Sequence, residues 1–211
     1  MIRLILVRHG QTAWNEGAGV ERFRGRTDLP LDATGQAQAR AVAARLRSEP
    51  LAALYTSPLL RARQTIAPLA AERSLPVQAH GGLLDIDYGL FQGLTRMEAA
   101  AAHPELYALW WTAPSQVRFP GGEALIDVQT RLLTLLDELV ARHSDDTVAV
   151  VGHQMVNKVL ACTLAGLDLD QIWRIRQDTA GINVFQQIDG AWHILCLNDT
   201  CHLASDANYK A

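Results

Sequence analysis

Apolar residues run without alternation from Leu4 to Val7, the pattern of a strand covered on both faces, as in the middle of a parallel sheet. The run stops at Arg8-His9-Gly10. Thr147 to Val151 repeats this layout and ends in Gly152-His153-Gln154, and Leu51 to Tyr55 is a third short apolar stretch. Helical signals follow each run. Thr34 can cap a helix to about Ser48, with Val42 and Leu46 on one face and Arg40 and Arg47 away from it. Thr56-Ser57-Pro58 offers an N-cap and a proline suited to the first helical position. A helix carrying Val156, Val159, Leu160 and Leu164 on one side is expected after His153. Gly121-Gly122-Glu123 starts a long helix in which Leu125, Val128, Leu132, Leu135 and Leu139 recur at spacings of three and four, a stripe of core packing.

The remaining stretches are shorter or irregular. Thr95 and Glu98 make a capping box for the segment that runs to Pro120 and carries Trp110 and Trp111, read as a helical cap or insert over the site. Gly181 to Ile188 and Trp192 to Leu197 predict a closing β pair. Gly17, Gly19, Gly25 and Pro30 make Glu16 to Pro30 a loop.

With 211 residues, 49% of them hydrophobic, the chain is long enough to hide roughly 70% of the surface its unfolded form exposes. One domain spanning 1–211 is expected, since no repeat, Gly/Ser linker or sustained charge run marks a boundary. A net charge of −3 argues against nucleic acid as the main partner. Nearly all the positive charge is arginine, with lysine only at 158 and 210. Met1 to Val7 is too short for a signal peptide, and no apolar run approaches the ~20 residues of a membrane span, so a cytoplasmic protein without membrane partners is expected. Cys162, Cys196 and Cys201 lack metal-ligand spacing and read as buried or incidental thiols; no metal and no cofactor are expected.

A cation and an imidazole at the carboxyl end of a buried strand lie where open α/β sheets bind ligands, and Gly10 lets the backbone turn sharply beside an anion. One Arg-His-Gly tripeptide arises by chance in many chains. Three further pieces lift this one: Ser57-Pro58-Leu59-Leu60-Arg61-Ala62-Arg63-Gln64-Thr65, Asp85-Ile86-Asp87-Tyr88-Gly89, and the strand-then-histidine repeat at Val148 to His153. In this order the set resembles the histidine phosphatase superfamily, also called phosphoglycerate-mutase-like, over nearly the whole chain. The fold expected from that resemblance is α/β, a three-layer sandwich with a mostly parallel central sheet and a small helical cap at about 95–120.

The resemblance also implies roles. His9 is the nucleophile that becomes a phosphohistidine. Arg8, Arg61 and His153 surround the phosphoryl oxygens, and Asn15 adds a neutral donor. Arg61 and Arg63 cannot both face the pocket, because positions two apart on a helix diverge by about 200 degrees; family position selects Arg61. Asp85 stands where many members have Glu and would be the general acid, with Asp87 the competing carboxylate and better suited to stabilising a turn. The usual aspartate pKa of about 3.9 is low for an acid at neutral pH, and a bound phosphate dianion would raise it. If Arg22, Arg24 and Arg26 lie in extended chain they share one side; Arg24-Gly25 matches a substrate-facing position, whereas Arg22 and Arg26 read as a solvated basic loop. Gln154 completes the substrate-binding set.

The tail Asn198 to Leu203 resembles that of metal-independent phosphoserine phosphatases, with His202 read as a packed residue. The expected activity is hydrolysis of a small phosphorylated metabolite by a metal-independent, histidine acid-type phosphatase. A 2,3-bisphosphoglycerate-dependent phosphoglycerate mutase is the alternative, disfavoured by the short insert because a smaller lid excludes water less well. A non-catalytic phospho-ligand binder ranks third, and a homodimer is allowed.

Overall fold

The computed structural model describes residues 1–15 and 20–203, so Gly17, Gly19 and Lys210 lie outside the described residues. Six strands form one sheet: β1 (Ile2–Arg8), β2 (Leu51–Thr56), β3 (Val77–Ala79), β4 (Thr147–Gly152), β5 (Ile182–Ile188) and β6 (Ala191–Asp199), in the spatial order β3-β2-β4-β1-β5-β6. The first four are mutually parallel. β5 and β6 add an antiparallel hairpin at one edge. The unbroken apolar runs have the cause inferred from sequence: along β1, Leu4 and Leu6 enter one core cluster and Ile5 and Val7 the other, on the opposite face of the sheet.

Helices cover both faces, giving the three layers. α1 (Ala33–Leu46) and α2 (Leu60–Arg73) pack on the face of Ile5 and Val7 through Val42, Leu46, Ile66 and Leu69. α5 (Leu125–Arg142) and α6 (Gln154–Leu164) pack on the other, where the expected Leu125, Val128, Leu132, Leu135 and Leu139 stripe is buried. Between α2 and α5 lie α3 (Arg96–Ala102) and α4 (Pro104–Thr112), the two short helices of the cap, and the Thr95/Glu98 capping box opens α3 as expected.

Helix starts depart from the sequence expectations, for local reasons. Asp32, not Thr34, caps α1: its backbone is extended and its carboxylate accepts from the Gly35 N–H at 2.8 Å. α2 begins at Leu60, two residues beyond Pro58, and no residue in its own sequence caps it; the Asp28 carboxylate from a distant loop accepts from the Leu60 N–H at 2.6 Å. α5 begins at Leu125 rather than at Gly121. Gly122 lies instead against the Asp87–Gly89 loop, where a Cβ would come 2.3 Å from the Asp87 carbonyl oxygen. Strand β3 went unread because its three residues, Val77, Gln78 and Ala79, are all exposed and carry no buried pattern. The three cysteines are free, and among the described residues no helix is long and apolar enough to cross a membrane.

A second close approach fixes the segment after β1. Gly10 and Gly35 meet so tightly that a Cβ on Gly35 would lie 2.1 Å from the Gln11 carbonyl oxygen, and one on Gly10 would lie 2.6 Å from that of Gly35. The start of α1 is thereby seated directly on the chain that follows His9. Gly35→Ala should force these backbones apart at an overpacking cost of about 1–3 kcal/mol. Thermal unfolding should register it as a Tm lowered by several degrees. A variant as stable as the parent would mean that the contact is not needed.

Candidate active site

The site follows from sheet register. β1 and β4 are parallel neighbours with Arg8 opposite Gly152, so the next residue on each chain is a histidine. The helix after β1 goes to one face of the sheet and the helix after β4 to the other, which opens a crevice at the strands' carboxyl ends, as at the switch points of open α/β sheets. His9 and His153 sit there with ring centroids 5.2 Å apart and planes tilted by 57°. Neither has any solvent exposure.

The backbone around His9 is pinned on every side. Its N–H donates to the Gly152 carbonyl at 3.0 Å, its carbonyl accepts from the Ala180 N–H at 3.2 Å, and the Gly10 N–H donates to the Thr65 hydroxyl at 3.0 Å. Thr65 in turn donates to the Arg61 carbonyl at 2.7 Å, joining the end of β1 to α2. The imidazole Nδ1 lies 2.7 Å from the Gly10 carbonyl oxygen. A carbonyl only accepts, so Nδ1 carries the proton and Nε2 keeps its lone pair. Nε2 is buried and has no protein partner.

Three guanidinium groups and one carboxylate share this interior. Arg8, Arg24, Arg61 and Asp85 are all buried. Arg61 donates to the Thr27 and Gly25 carbonyls at 2.8 Å each and to Asp85 Oδ2 at 3.1 Å. Arg8 donates to the Gln177 carbonyl at 2.5 Å. Arg24 donates to the Trp14 carbonyl at 2.8 Å and to Gln154 Oε1 at 3.4 Å. Asp85 Oδ2 also lies 3.8 Å from His153 Nδ1, and Asp85 Oδ1 accepts from the Ile86 N–H at 3.0 Å. Both ring nitrogens of His153 and the Nε atoms of the three arginines are buried without a hydrogen-bond partner among the described residues.

Electrostatics follow from that crowding. Burial, then Arg61, Arg8 and Arg24, hold the His9 ring well below the ordinary imidazole range, so it stays neutral; burial, then Arg61 and His9, does the same to His153. Arg8 is pushed down to about 9, first by burial and then by Arg24, and remains a cation at neutral pH. Burial raises the Asp85 carboxyl and lowers Arg61, both toward neutrality, against the attraction of one for the other. At 3.1 Å, with Arg24 also pulling Asp85 toward the carboxylate form, the ion pair is the state to which the free protein belongs. Burial nevertheless lifts the Asp85 carboxyl toward its protonated form, and an incoming anion would lift it further.

The residues singled out from sequence sort clearly. His9, His153, Arg8, Arg61, Arg24 and Asp85 converge. Asn15 is buried, its amide oxygen accepting from the Thr12 N–H and hydroxyl at 2.9 Å, and it lines a cavity of about 580 Å³ with Arg8 and Gln154. A second cavity of about 170 Å³ is lined by Arg24, Asp85 and Gln154 on the site side and by Arg96, Trp110 and Trp111 of the cap. Asp87 accepts from the Gly89 N–H at 2.9 Å and pairs with Arg26 at 3.5 Å, the turn-stabilising role. The expectation that Arg22, Arg24 and Arg26 share one side does not hold, because Gly25 adopts a left-handed φ of 46° and turns the chain. Arg22 lines the smaller cavity and pairs with Glu98 at 3.3 Å, whereas Arg26 reaches Glu123 at 3.0 Å. His202 is half-buried, with both ring nitrogens out of contact with solvent.

Sequence reasoning missed the supports. Gln177, Thr65, Thr27 and Gly25 act through backbone carbonyls or a hydroxyl, which no side-chain pattern announces. Lys158 and Trp173 also escaped it, although the four-residue step from Gln154 to Lys158 on α6 could have pointed to a shared face. Among the described residues no group of three or more His, Cys, Asp or Glu side chains is arranged to hold a metal ion.

Comparison with known proteins accords with this geometry. The chain is 36% identical over 203 residues to phosphoserine phosphatase 1 of Hydrogenobacter thermophilus, covering 96% of this chain and 95% of that one. It is 32% identical over 198 residues to 2,3-bisphosphoglycerate-dependent phosphoglycerate mutase 2 of Gloeobacter violaceus, covering 91% and 89%. Among solved structures, Bacillus stearothermophilus YhfR superposes with a TM-score of 0.90 at 30% identity, covering 96% of this chain and all of that one. With residues 4–200 also matching the family model, the chain belongs to the histidine phosphatase superfamily, branch 1.

Proposed function

We propose that this protein hydrolyses small phosphomonoesters through a phosphohistidine on His9. The observation that carries the reading is the 2.7 Å contact from His9 Nδ1 to the Gly10 carbonyl, which fixes the tautomer and leaves Nε2 as a buried, unpartnered lone pair beside three guanidinium groups. Nε2 attacks phosphorus, the bond to the leaving oxygen breaks, and the electron pair departs with that oxygen as Asp85 hands it a proton. Water then attacks the phosphohistidine, Asp85 accepts its proton, and the lone pair returns to Nε2. Arg8 and Arg61 face the equatorial oxygens as fixed cations and the neutral His153 as a hydrogen-bond donor, so the charge that develops is taken without a metal. The arriving dianion competes with Asp85 for Arg61, which frees the carboxylate to take up from water the proton that it then hands to the leaving oxygen. The phosphatase name of the 36% identical relative supports hydrolysis and makes phosphoserine the first substrate to try.

The second reading is a phosphoglycerate mutase, favoured by the relative that bears that name. The same first half-reaction would then return the phosphoryl group to the organic product rather than to water. Incubation with 3-phosphoglycerate separates the two: free phosphate is expected, and accumulation of 2-phosphoglycerate without it would establish the mutase.

Labelled acetyl phosphate, followed by alkaline quenching, should label the protein at His9, and His9→Ala should take up none. Asp85→Asn should lower turnover of an alkyl phosphate by about 10²–10⁴-fold and that of p-nitrophenyl phosphate far less, because nitrophenolate leaves without a proton. Equal losses on the two substrates would remove Asp85 from the acid role. The pH profile has its own signature. A general acid works only while protonated, so alkyl-ester turnover should fall as pH rises through the raised Asp85 pKa, a limb absent in Asp85→Asn. On the acid side His9 is already neutral, so kcat/KM should follow the second ionisation of the substrate, near ~6, and move when that pKa is changed.

A further inference from the structure

Lys158 is a buried cation that the chemistry above does not use. It lies on α6 one turn beyond Gln154, with its stem packed away and only 6% of its surface exposed. With Glu21, Gln154 and Trp173 it belongs to the wall common to both cavities, between the phosphate end marked by Arg8 and Asn15 and the cap end marked by Trp110 and Trp111. That is the place for the part of the substrate that leaves.

Among the described residues its ammonium pairs with no carboxylate. Three carboxylates line the two cavities, and each is held by another cation: Glu21 by Arg96 at 2.7 Å, Asp85 by Arg61 at 3.1 Å and Asp178 by Arg176 at 2.9 Å. The Lys158 ammonium lies 4.7 Å from the centre of the Trp173 ring and feels the Cys162 thiol one turn on, whose own pKa is raised by burial. Burial, and then the nearby Arg8 charge, push it down to about 8, the cost of a cation without an anion. The smaller cavity holds a second unanswered donor, the buried indole nitrogen of Trp111. A leaving group with a negative charge would satisfy what the protein itself leaves unpaired.

We propose that Lys158 selects phosphomonoesters whose leaving group carries a carboxylate, that is, small phosphorylated hydroxy acids, a class that includes phosphorylated amino acids. The inference rests on the phosphomonoesterase reading and adds the substrate class to it. Trp110, Trp111 and Trp173 give the smaller cavity planar, apolar walls for the rest of the leaving group.

Matched substrate pairs test it. O-phosphoserine against O-phosphoethanolamine, and 3-phosphoglycerate against glycerol 3-phosphate, differ by one carboxylate. The protein should favour the acid of each pair by at least about tenfold in kcat/KM, the worth of one charge-assisted contact. Lys158→Met and Lys158→Gln should bring that ratio close to one, mainly through KM, and Lys158→Arg should keep part of it. Should these variants fold poorly, the methyl ester of O-phosphoserine puts the same question to the unaltered protein and should be the poorer substrate by a similar factor. Equal kcat/KM for the members of both pairs, or a preference that survives in Lys158→Met, overturns the role of Lys158 while leaving the phosphatase reading intact. Absence of both hydrolysis and His9 labelling overturns that reading and this inference with it.

Discussion

Arg8, Arg24 and Arg61 bring three positive charges into an interior that offers them one carboxylate, Asp85. Taking an ion out of water costs on the order of several kcal/mol even after the surroundings relax, so an imbalance of this size is tolerated only where something else answers it. Part of the answer is local: the Gln177, Trp14, Thr27 and Gly25 carbonyls each accept a guanidinium N–H. The rest is left to a ligand carrying the opposite charge. Burial first, and then the same imbalance, keeps both imidazoles neutral, which is the state a nucleophilic nitrogen requires.

Such an arrangement would collapse if its members could move apart, and the framework prevents that. β1 and β4 deliver His9 and His153 from paired register positions, so the 5.2 Å separation of the rings is set by the spacing of a parallel sheet rather than by a flexible loop. Hydrogen bonds to the Gly152 carbonyl and the Thr65 hydroxyl, and one from the Ala180 N–H, then fix the chain that carries His9. The meeting of Gly10 with Gly35, and that of Gly122 with the loop bearing Asp87, show the same economy: backbone against backbone, with no side chain between to allow slippage.

Above this rigid floor the walls are of another character. α3 and α4 supply aromatic rings and Arg96, while α6 supplies Gln154 and Lys158. On the proposed reading the floor would hold the phosphoryl group, which is common to every phosphomonoester, and the walls would meet the organic part, which is not. A family shares the first and differs in the second, which is why membership alone leaves the substrate open.

Much of the framework was legible in the chain itself. Family resemblance singled out Arg61 and Asp85, whereas unbroken apolar runs at Leu4–Val7 and Val148–Val151 required strands covered on both faces, the leucine stripe from Leu125 to Leu139 required a helix on a core, and Arg8, His9 and His153 stood out by residue type at the strand ends. Local chemistry decides these features, so local reading finds them. Helix starts were misjudged where the cap came from elsewhere, as Asp28 does for α2, or where a glycine was spent on a close contact rather than on the first turn, as at Gly122. The tautomer of His9, the pairing of Asp85 with Arg61 and the unpaired state of Lys158 were beyond any sequence pattern. Each depends on how close two groups come and on how far water is kept from them, whether the partner is the next residue, as Gly10 is for His9, or 24 positions away, as Arg61 is for Asp85, and only the folded chain sets those two quantities.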